Sequence, residues 1–291
     1  MDRRTRDLVK SFLKATLDRE ELERLGSIQL RDKGFGYDVF GAEKESFELA
    51  YFALRWVYKH YFRVESTGHE HVPGEGRCIL ASNHSGVLPI DGAMIGVDIL
   101  RHVDPPRLMR AVVDNFAAAV PYAGLFLQRC GQVIGTRRNF EELLEADEMV
   151  CVFPEGAKGT GKPFSHRYQL LRFNVGFVEL AIEHKAPIVP VAVTGAEEQA
   201  PMLFNVKPIA RALGFPYFPI TPTFPLLGPL GMLPYPAKYY IDYGEPFHFH
   251  EEYSSKALED PHRLRLLAGR VRKRVQGMLH KRVKERPGIY F

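Results

Sequence analysis

Short apolar runs alternate with stretches of helical periodicity along most of this chain. The apolar runs are too short for helices and are bounded by glycine, proline or polar residues, as is typical of buried strands. Such alternation predicts an α/β fold whose central sheet, mostly parallel or mixed, is flanked by helices and carries its sites at the strand ends. Strands are expected at 78–81, 108–113, 132–135, 149–153 and 188–194, and helices at 90–102, at 116–126, from Asn139 onward and at 169–184.

The length of 291 residues, with 45% hydrophobic residues, is enough for one large core. We predict a single α/β domain at residues 62–253. An N-terminal helical segment at 1–61 precedes it, with amphipathic helices expected at 5–25 and 43–60. A basic amphipathic helix follows at 254–291.

Cysteine and histidine usage argues against two kinds of site. Three cysteines, an odd number at wide spacing, each lie in or beside an apolar run, which favours reduced core thiols over a disulfide framework or a zinc site. Two His-x-His pairs lie in strand-like or turn-like surroundings that indicate ordinary histidines, so no metal is predicted. These residues are Cys78, Cys130, Cys151, His69, His71, His248 and His250.

The first residues, Met1-Asp2-Arg3-Arg4, lack the apolar core of a secretion signal. Apart from one run that prolines break, no uncharged apolar run has the length of a membrane-spanning helix. We therefore expect a cytoplasmic protein. The formal net charge of +4 does not by itself indicate nucleic acid, and no nucleic-acid-binding motif accompanies it. Nucleic acid is not expected as a partner.

The strand at 78–81 leads directly into Ser82-Asn83-His84-Ser85-Gly86-Val87-Leu88-Pro89-Ile90-Asp91. A histidine at a strand end can act as a general base when a carboxylate orients its second ring nitrogen. On one continuous helix, seven positions would separate His84 from Asp91 by about 10 Å, too far for a hydrogen bond. Gly86 permits a sharp turn and Pro89 suits a helix start, so we expect Asp91 in the first turn of a new helix near His84. The alternative is a turn histidine with an unrelated acid at a helix start.

Two further strands end in charged residues. The stretch from Gly131 to Arg137 places a guanidinium at a strand end, where it can bind phosphate or carboxylate or serve only as a surface salt-bridge partner. The stretch Phe153-Pro154-Glu155-Gly156-Ala157-Lys158 puts a carboxylate and a lysine in a glycine-rich loop, whose backbone amides can face an anion. A nucleotide-binding P-loop is not expected, because Pro163 follows Lys162 where a serine or threonine is needed.

Taken together, these blocks resemble those of the glycerolipid acyltransferases of the lysophosphatidate (1-acylglycerol-3-phosphate) acyltransferase type. The resemblance covers about residues 62–245. This chain departs from the family in having six residues between His84 and Asp91, against the usual four, and Ala157-Lys158 in place of Thr-Arg. The matching blocks are Asn83-His84 with Asp91, Gly131 to Arg137, Phe153-Pro154-Glu155-Gly156, and the apolar strand Pro187-Ile188-Val189-Pro190-Val191.

The resemblance implies acyl transfer from an acyl-CoA or acyl-carrier-protein thioester to a lysophospholipid hydroxyl. His84 would be the base and Asp91 would fix its tautomer, with no acyl-enzyme and no cofactor beyond the thioester co-substrate. Arg137 and Lys158 would bind the acceptor's phosphate, and Glu155 its free hydroxyl or Lys158. The implied substrate-binding residues are Arg137, Phe153, Pro154, Glu155, Gly156 and Lys158, and Pro187 and Val189 belong to the implied acyl-donor strand block.

Two segments suit contact with a membrane. Residues 214–236 carry no charge and seven prolines, which rules out a continuous spanning helix and leaves either a rigid loop over the core or an apolar face in a bilayer interface. Residues 262–286 form a basic amphipathic helix that would lie on an anionic membrane surface or dock its apolar stripe on the domain. We expect a peripheral protein on the cytoplasmic side of a membrane.

Two other classes of function stay open from the sequence. One is a catalytically inactive lipid-binding or scaffold protein on the same fold, whose acid is misplaced by the longer spacing. The other is a hydrolase in which His84 activates water on a thioester or an ester.

Overall fold

The computed structural model describes residues 11–12, 15–32, 34–114 and 122–291. The first part of the helix predicted at 5–25 and most of the helix predicted at 116–126 lie outside the described residues. The strands, in chain order, are β1 (Glu65–Thr67), β2 (Cys78–Ser82), β3 (Met109–Val113), β4 (Val133–Ile134), β5 (Met149–Val152), β6 (Ile188–Thr194), β7 (Phe204–Asn205), β8 (Pro219–Ile220) and β9 (Tyr240–Tyr243).

Seven strands form one sheet in the order β1-β9-β6-β2-β5-β3-β4. The five strands from β6 to β4 are parallel to one another, β9 is antiparallel to β6, and β1 is parallel to β9. Leu80 of β2 is in register with Val189 on one side and Cys151 on the other, so β2 lies in the middle of the sheet. The separate pair β7 and β8 is antiparallel. A mostly parallel sheet flanked by helices confirms the predicted fold class.

The helices surround this sheet, and the helix at Lys44–Trp56 continues into a π-helical turn at Val57–Tyr61. Short 3₁₀ turns lie at His69–His71, Phe164–His166, Gly228–Met232 and Ser255–Glu259. The α-helices are α1 (Arg19–Ser27), α2 (Lys44–Trp56), α3 (Ile90–His102), α4 (Ala123–Arg129), α5 (Arg137–Glu145), α6 (Ala157–Thr160), α7 (Gly176–Glu183), α8 (Lys207–Leu213), α9 (Phe249–Glu252) and α10 (Pro261–Glu285).

Alternate residues of β2 enter two separate cores. Cys78 and Leu80 pack with residues of α1, α2 and α3, whereas Ile79 and Ala81 pack with residues of α5, α7 and α10. A strand that is buried on both faces needs apolar residues at every position, which explains the uninterrupted apolar run in the sequence. The three cysteines are buried and free of disulfides, and burial raises the pKa of Cys130 to about 12.

The start of α5 differs from the predicted one. The helix begins at Arg137 instead of Asn139, because Thr136 caps it: the Thr136 hydroxyl oxygen accepts a 3.1 Å hydrogen bond from the Asn139 amide. An N-cap of this kind satisfies one of the free amides at the helix start. The cap puts Arg137 in the first helical turn, so the strand before it is shorter than predicted.

The helix predicted at 169–184 begins only at Gly176. The chain before it is irregular and is bound to α10 by side-chain hydrogen bonds. Arg272 donates to the carbonyl of Leu170 at 2.8 Å, and the Gln276 carbonyl oxygen accepts from the Leu170 amide at 2.9 Å. Tertiary hydrogen bonds thus replace the helical ones that local periodicity predicted.

The C-terminal helix α10 docks on the domain through its apolar stripe, which packs in the core beside β6 and α7. Some of its cations pair with acids of neighbouring elements, as Arg274 does with Glu245 at 2.8 Å. Of the two alternatives for this helix, docking is therefore the one observed, and the expectation that the stripe enters a membrane surface is wrong. The buried stripe residues are Leu264, Leu267, Val271, Val275 and Leu279.

Length alone would let α10, with 25 residues, cross a bilayer. Its many basic residues make it unsuitable for the hydrocarbon region. Among the residues that the structure describes, no helix is both long and apolar enough to span a membrane.

Asp98 on α3 is a buried carboxylate that connects four parts of the fold. Although burial raises the pKa of Asp98, hydrogen bonds from His102 and His69 outweigh it and hold the pKa well below its usual 3.8. Five side chains donate to the two carboxylate oxygens, so the charge is fully satisfied without solvent. The partners are Tyr58 at 2.5 Å, Ser66 at 2.6 Å, Tyr243 at 2.7 Å, His102 at 3.0 Å and His69 at 3.2 Å.

Replacement of this carboxylate by an amide tests its contribution to stability. Asp98→Asn should lower the free energy of unfolding in urea at pH 7 by about 2–4 kcal/mol, because several buried donors lose a charged acceptor. A carboxyl with a depressed folded-state pKa stabilises the fold above its unfolded pKa, and that contribution is lost as the pH falls toward the folded pKa. The difference in unfolding free energy between wild type and Asp98→Asn should therefore shrink below about pH 4.

The matched control is Asp104→Asn, whose carboxylate is 77% exposed beside Arg24 and should cost about 1 kcal/mol or less. An unfolding free energy of Asp98→Asn that equals wild type at pH 7, or a gap that widens in acid, would contradict this account.

Candidate active site

The turn after β2 brings His84 and Asp91 together. Gly86 has a φ of +76°, and α3 starts at Ile90, immediately after Pro89, which places Asp91 in the first helical turn. The Nδ1 atom of His84 lies 3.0 Å from Oδ2 of Asp91. The six-residue spacing between the two residues therefore still allows the expected contact.

Three donors hold the Asp91 carboxylate in place. Its Oδ2 accepts from the Ser85 amide at 2.9 Å as well as from His84, and its Oδ1 accepts from the Gly92 amide at 2.8 Å. The side chain is fully buried. Because a carboxylate only accepts, this geometry assigns the proton of neutral His84 to Nδ1 and leaves Nε2 as a free base.

Phe153 covers one face of the imidazole. The ring centroids of His84 and Phe153 are 4.1 Å apart and the rings are inclined by 28°. A Cβ at Gly92 would lie 3.3 Å from the Phe153 ring, so glycine at this position leaves room for the stack. The His84 side chain keeps 14% exposure, which gives its free edge access to a substrate.

Glu155 is an internal brace and is not placed to meet a substrate hydroxyl. Its side chain is fully buried, with Nζ of Lys162 at 3.4 Å. One carboxylate oxygen accepts from the His84 amide at 3.3 Å and the other from the Leu171 amide at 2.7 Å. The expectation that Glu155 binds the acceptor's hydroxyl or positions Lys158 is corrected: its partner is Lys162, and it supports the backbone under His84.

Lys162 is a buried cation that sequence reasoning assigned no role. Its side chain is 5% exposed and lies between two acids, with the Glu197 carboxylate at 3.2 Å. Burial raises the pKa of Glu197, and Lys162 opposes that rise. Nothing in the local sequence signals the burial, because Glu197 comes from beyond β6.

Asn83 also braces the turn. Its side-chain amide donates to the Val193 carbonyl at 3.0 Å and accepts from the Val193 amide at 2.8 Å. A third hydrogen bond, of 2.9 Å, runs from Asn83 to the Ser85 hydroxyl. The asparagine next to the histidine thereby fixes the turn to β6, a role that the sequence motif did not reveal.

Arg137 lies at the edge of a cavity of about 370 Å³ between α5, α7 and the end of β5. Its side chain is 51% exposed, and its guanidinium is bound to Glu141 at 2.7 Å, Glu179 at 3.4 Å and Glu183 at 2.5 Å. Three carboxylates thus already surround the cation that the resemblance assigned to phosphate. The other lining residues are Val112, Gly135, Thr136, Phe140, Val152, Pro154, Asn174, Gly176, Phe177 and Leu180.

The loop after β5 separates Phe153, which stacks on His84, from Pro154, which lines this cavity. Gly156 has a φ of +64° and a ψ of −166°, a conformation open essentially to glycine alone. Lys158 follows on α6, is exposed, and forms no ion pair with any residue that the structure describes. It is therefore a cation near the site that can accept a new anionic partner.

Pro187 and Val189 do not line the site. Val189 is fully buried in the core, in register with Leu80, and the Pro187 carbonyl accepts from the Ile79 amide at 2.9 Å. Both lie at the start of β6, whereas His84 follows the end of the parallel strand β2. In this structure both residues support the sheet, and their implied place in an acyl-donor strand block stays a prediction.

Potential metal ligands come together away from His84. His69 groups with Asp98 and His102, and His248 with His250 and Glu251. In the first group both oxygens of Asp98 already accept hydroxyl protons, which an ion would have to displace. That no metal is needed stays a prediction.

Comparisons with known proteins identify relatives of this chain. The family model described as Acyltransferase matches residues 63–194. An uncharacterized protein of Mycobacterium tuberculosis strain H37Rv is 41% identical over 239 residues, which cover 82% of this chain and 66% of that protein. The 1-acyl-sn-glycerol-3-phosphate acyltransferase alpha of Homo sapiens is 28% identical over 167 residues, which cover 55% of this chain and 56% of that protein.

The crystal structure of the 1-acyl-sn-glycerophosphate acyltransferase PlsC from Thermotoga maritima matches with a TM-score of 0.53 and 16% sequence identity, over 92% of this chain and 89% of that chain. At that identity the match establishes the fold. This chain spans 66% of the length of the mycobacterial relative. With the ordered blocks around His84, Arg137 and Phe153, and the family match across them, this chain belongs to the glycerolipid acyltransferase family.

Proposed function

We propose that the protein transfers a fatty acyl chain from an acyl-CoA or acyl-carrier-protein thioester to the free hydroxyl of a lysophospholipid, with a lysophosphatidate-like acceptor. The observation that carries the proposal is the 3.0 Å contact between Nδ1 of His84 and Oδ2 of Asp91, with Nε2 left as a base at the end of β2. Relatives named as acylglycerophosphate acyltransferases support the substrate class.

The proposed reaction needs no covalent enzyme intermediate. Nε2 of His84 takes the proton of the acceptor hydroxyl as its oxygen attacks the thioester carbonyl, and the imidazolium then gives that proton to the departing thiolate as the C–S bond breaks. Asp91 stabilises the imidazolium and keeps Nε2 directed at the substrate. Ester and thiol are the products, so atoms and charge balance.

Binding of the acceptor's phosphate is proposed for Lys158 and Arg137. Lys158 is exposed and without a described ion-pair partner, whereas Arg137 must exchange one of its three carboxylates for the phosphate. After that exchange, the guanidinium can bind the phosphate and a remaining carboxylate at once through its fork of N–H groups. The cavity next to Arg137 offers space for part of the substrate.

The rival functions differ from this proposal in their product. The contact between Asp91 and His84 argues against a scaffold that is inactive because its acid is misplaced. A hydrolase would use the same base on water and release free fatty acid. We further propose that the protein works as a peripheral protein on the cytoplasmic face of an anionic membrane, with no metal or other cofactor and no nucleic-acid partner.

Loss of the base should nearly abolish turnover. His84→Ala is expected to lower kcat by about 10²–10⁴-fold, and Asp91→Asn by a similar or somewhat smaller factor, because a positioned base contributes that much. The assay follows thiol release from acyl-CoA or acyl carrier protein together with lipid product by mass, over a panel of lysophospholipids.

His248→Ala, which removes a side chain 45% exposed elsewhere on the surface, is the control and should leave kcat unchanged. Wild-type protein that releases free fatty acid instead of a new lipid would favour the hydrolase, and binding without any product would favour the scaffold.

Arg137 and Arg138 form a matched pair for the phosphate role. Both are on α5 and both pair with a glutamate four residues on, but only Arg137 lines the cavity. Arg137→Lys keeps the charge and loses the fork, so KM for lysophosphatidate should rise about tenfold. Arg138→Lys should leave KM unchanged. Equal KM values for wild type and Arg137→Lys would remove Arg137 from the phosphate site.

A further inference from the structure

The chain between Leu203 and Leu233, here called the apolar segment, exposes an unusual number of large apolar side chains. It lies outside the main sheet and contains β7, α8, β8 and the 3₁₀ turn at Gly228–Met232. Its most exposed leucines, Leu226 at 84% and Leu230 at 70%, are side chains that water solvates poorly. The exposed members are Leu203, Phe204, Ile209, Leu213, Phe215, Leu226, Leu227, Leu230 and Leu233.

The charge of this segment has one sign. No Asp or Glu occurs from Gln199 to Ile241, whereas Lys207 and Arg211 of α8 are exposed. An apolar surface with cations and without acids complements an anionic bilayer, whose acyl chains take the leucines and whose headgroups take the cations.

Hydrogen bonds hold the leucine-bearing turn in shape. The Thr223 hydroxyl donates to the Gly231 carbonyl at 2.8 Å, and the Thr221 hydroxyl oxygen accepts from the Phe224 amide at 2.9 Å. A Cβ at Gly231 would lie 2.3 Å from the Thr223 carbonyl oxygen, so the two sides of the turn touch. These contacts fix the turn with its leucines exposed. The sequence left a rigid loop and an apolar face as alternatives for this stretch, and the turn has both features.

The segment packs directly on the turn that carries His84. The Tyr217 hydroxyl donates to the Val87 carbonyl at 2.6 Å, and Val87 is buried against Met202 with Tyr217 and Met232 beside it. Val87 lies midway between His84 and Asp91 in the chain. A bilayer that accepts the apolar segment is therefore next to the catalytic turn.

We infer that the apolar segment, and not the C-terminal helix, is the surface by which this protein docks on an anionic lipid bilayer. The apolar stripe of α10 is buried in the core, and several of its cations already bind acids. The inference rests on the proposed function, because an enzyme acting on lysophospholipids meets its acceptor at a bilayer. The docked segment would bring the opening at His84 to the lipid headgroups.

The test is co-sedimentation of the full chain with vesicles of phosphatidylcholine alone or with phosphatidylglycerol. Leu226→Glu/Leu230→Glu should weaken binding by about tenfold or more, because two inserted leucines become charges. Lys207→Gln/Arg211→Gln should lose about fivefold per cation on the phosphatidylglycerol vesicles only, and this loss should vanish at high salt.

Leu266→Glu on α10 is the matched control, since Leu266 is 54% exposed, and it should bind as wild type does. The two leucines replaced in the double glutamate variant are both exposed, so the variant should fold as wild type does, and circular dichroism verifies this. Binding by Leu226→Glu/Leu230→Glu equal to wild type would overturn the inference, as would loss of a dimer in that variant by size exclusion with no change in vesicle binding.

Turnover is read separately, with a short-chain lysophospholipid below its micelle concentration. The double glutamate variant should keep wild-type kcat on this dissolved acceptor, and His84→Ala should keep wild-type vesicle binding. Absence of acyl transfer in every assay would defeat the proposed function while leaving the vesicle result to decide the docking surface. A double glutamate variant that loses kcat on the dissolved acceptor would assign the segment to the catalytic site and overturn the inference.

Discussion

A buried carboxylate under a strand-end imidazole is the constraint on which the site depends. Asp91 has no solvent exposure, so its charge must be satisfied by donors within the protein. The amides of Ser85 and Gly92 and the Nδ1 of His84 supply them. His84 and Asp91 lie at opposite ends of an eight-residue turn, and they can meet only if that turn folds back at Gly86 and a helix starts at Ile90. The hydrogen bond and the turn therefore require each other.

The charged side chains around this turn are of two kinds: some support the turn, and others are available to bind a ligand. Glu155 pairs with Lys162 and accepts a hydrogen bond from the His84 amide. Arg137 is bound to three glutamates. Lys158 is exposed beside them. At the protein surface the cations of α10 and of the apolar segment differ in the same way. Arg270, Arg274 and Arg282 of α10 bind acids of the domain, whereas the apolar segment has cations and no acid. In the proposed account the available groups are the ones that meet lipid.

Much of the fold followed from periodicity. The strand at Ile188–Thr194 and the helix at Ile90–His102 lie where the apolar pattern put them, because burial on a strand or helix face dictates residue type locally. Contacts between distant residues could not be predicted in this way. Leu170 is held by Arg272 instead of by a helix, and Lys162 is neutralised by Glu197. Glu155 was assigned to the substrate because the sequence shows its motif but not its burial. The apolar stripe of α10 fits both a helix on a membrane surface and a helix docked on the domain.

The central claim is that Asp91, separated from His84 by six intervening residues, sets the imidazole as a base with Nε2 free. The most direct measurement is a long-range ¹H–¹⁵N correlation spectrum of histidine-labelled protein at a pH where His84 is neutral, assigned with His84→Ala. The account predicts the tautomer with the proton on Nδ1, and its loss in Asp91→Asn. A His84 ring protonated on Nε2 in the wild-type protein, or a tautomer that Asp91→Asn leaves unchanged, would contradict it.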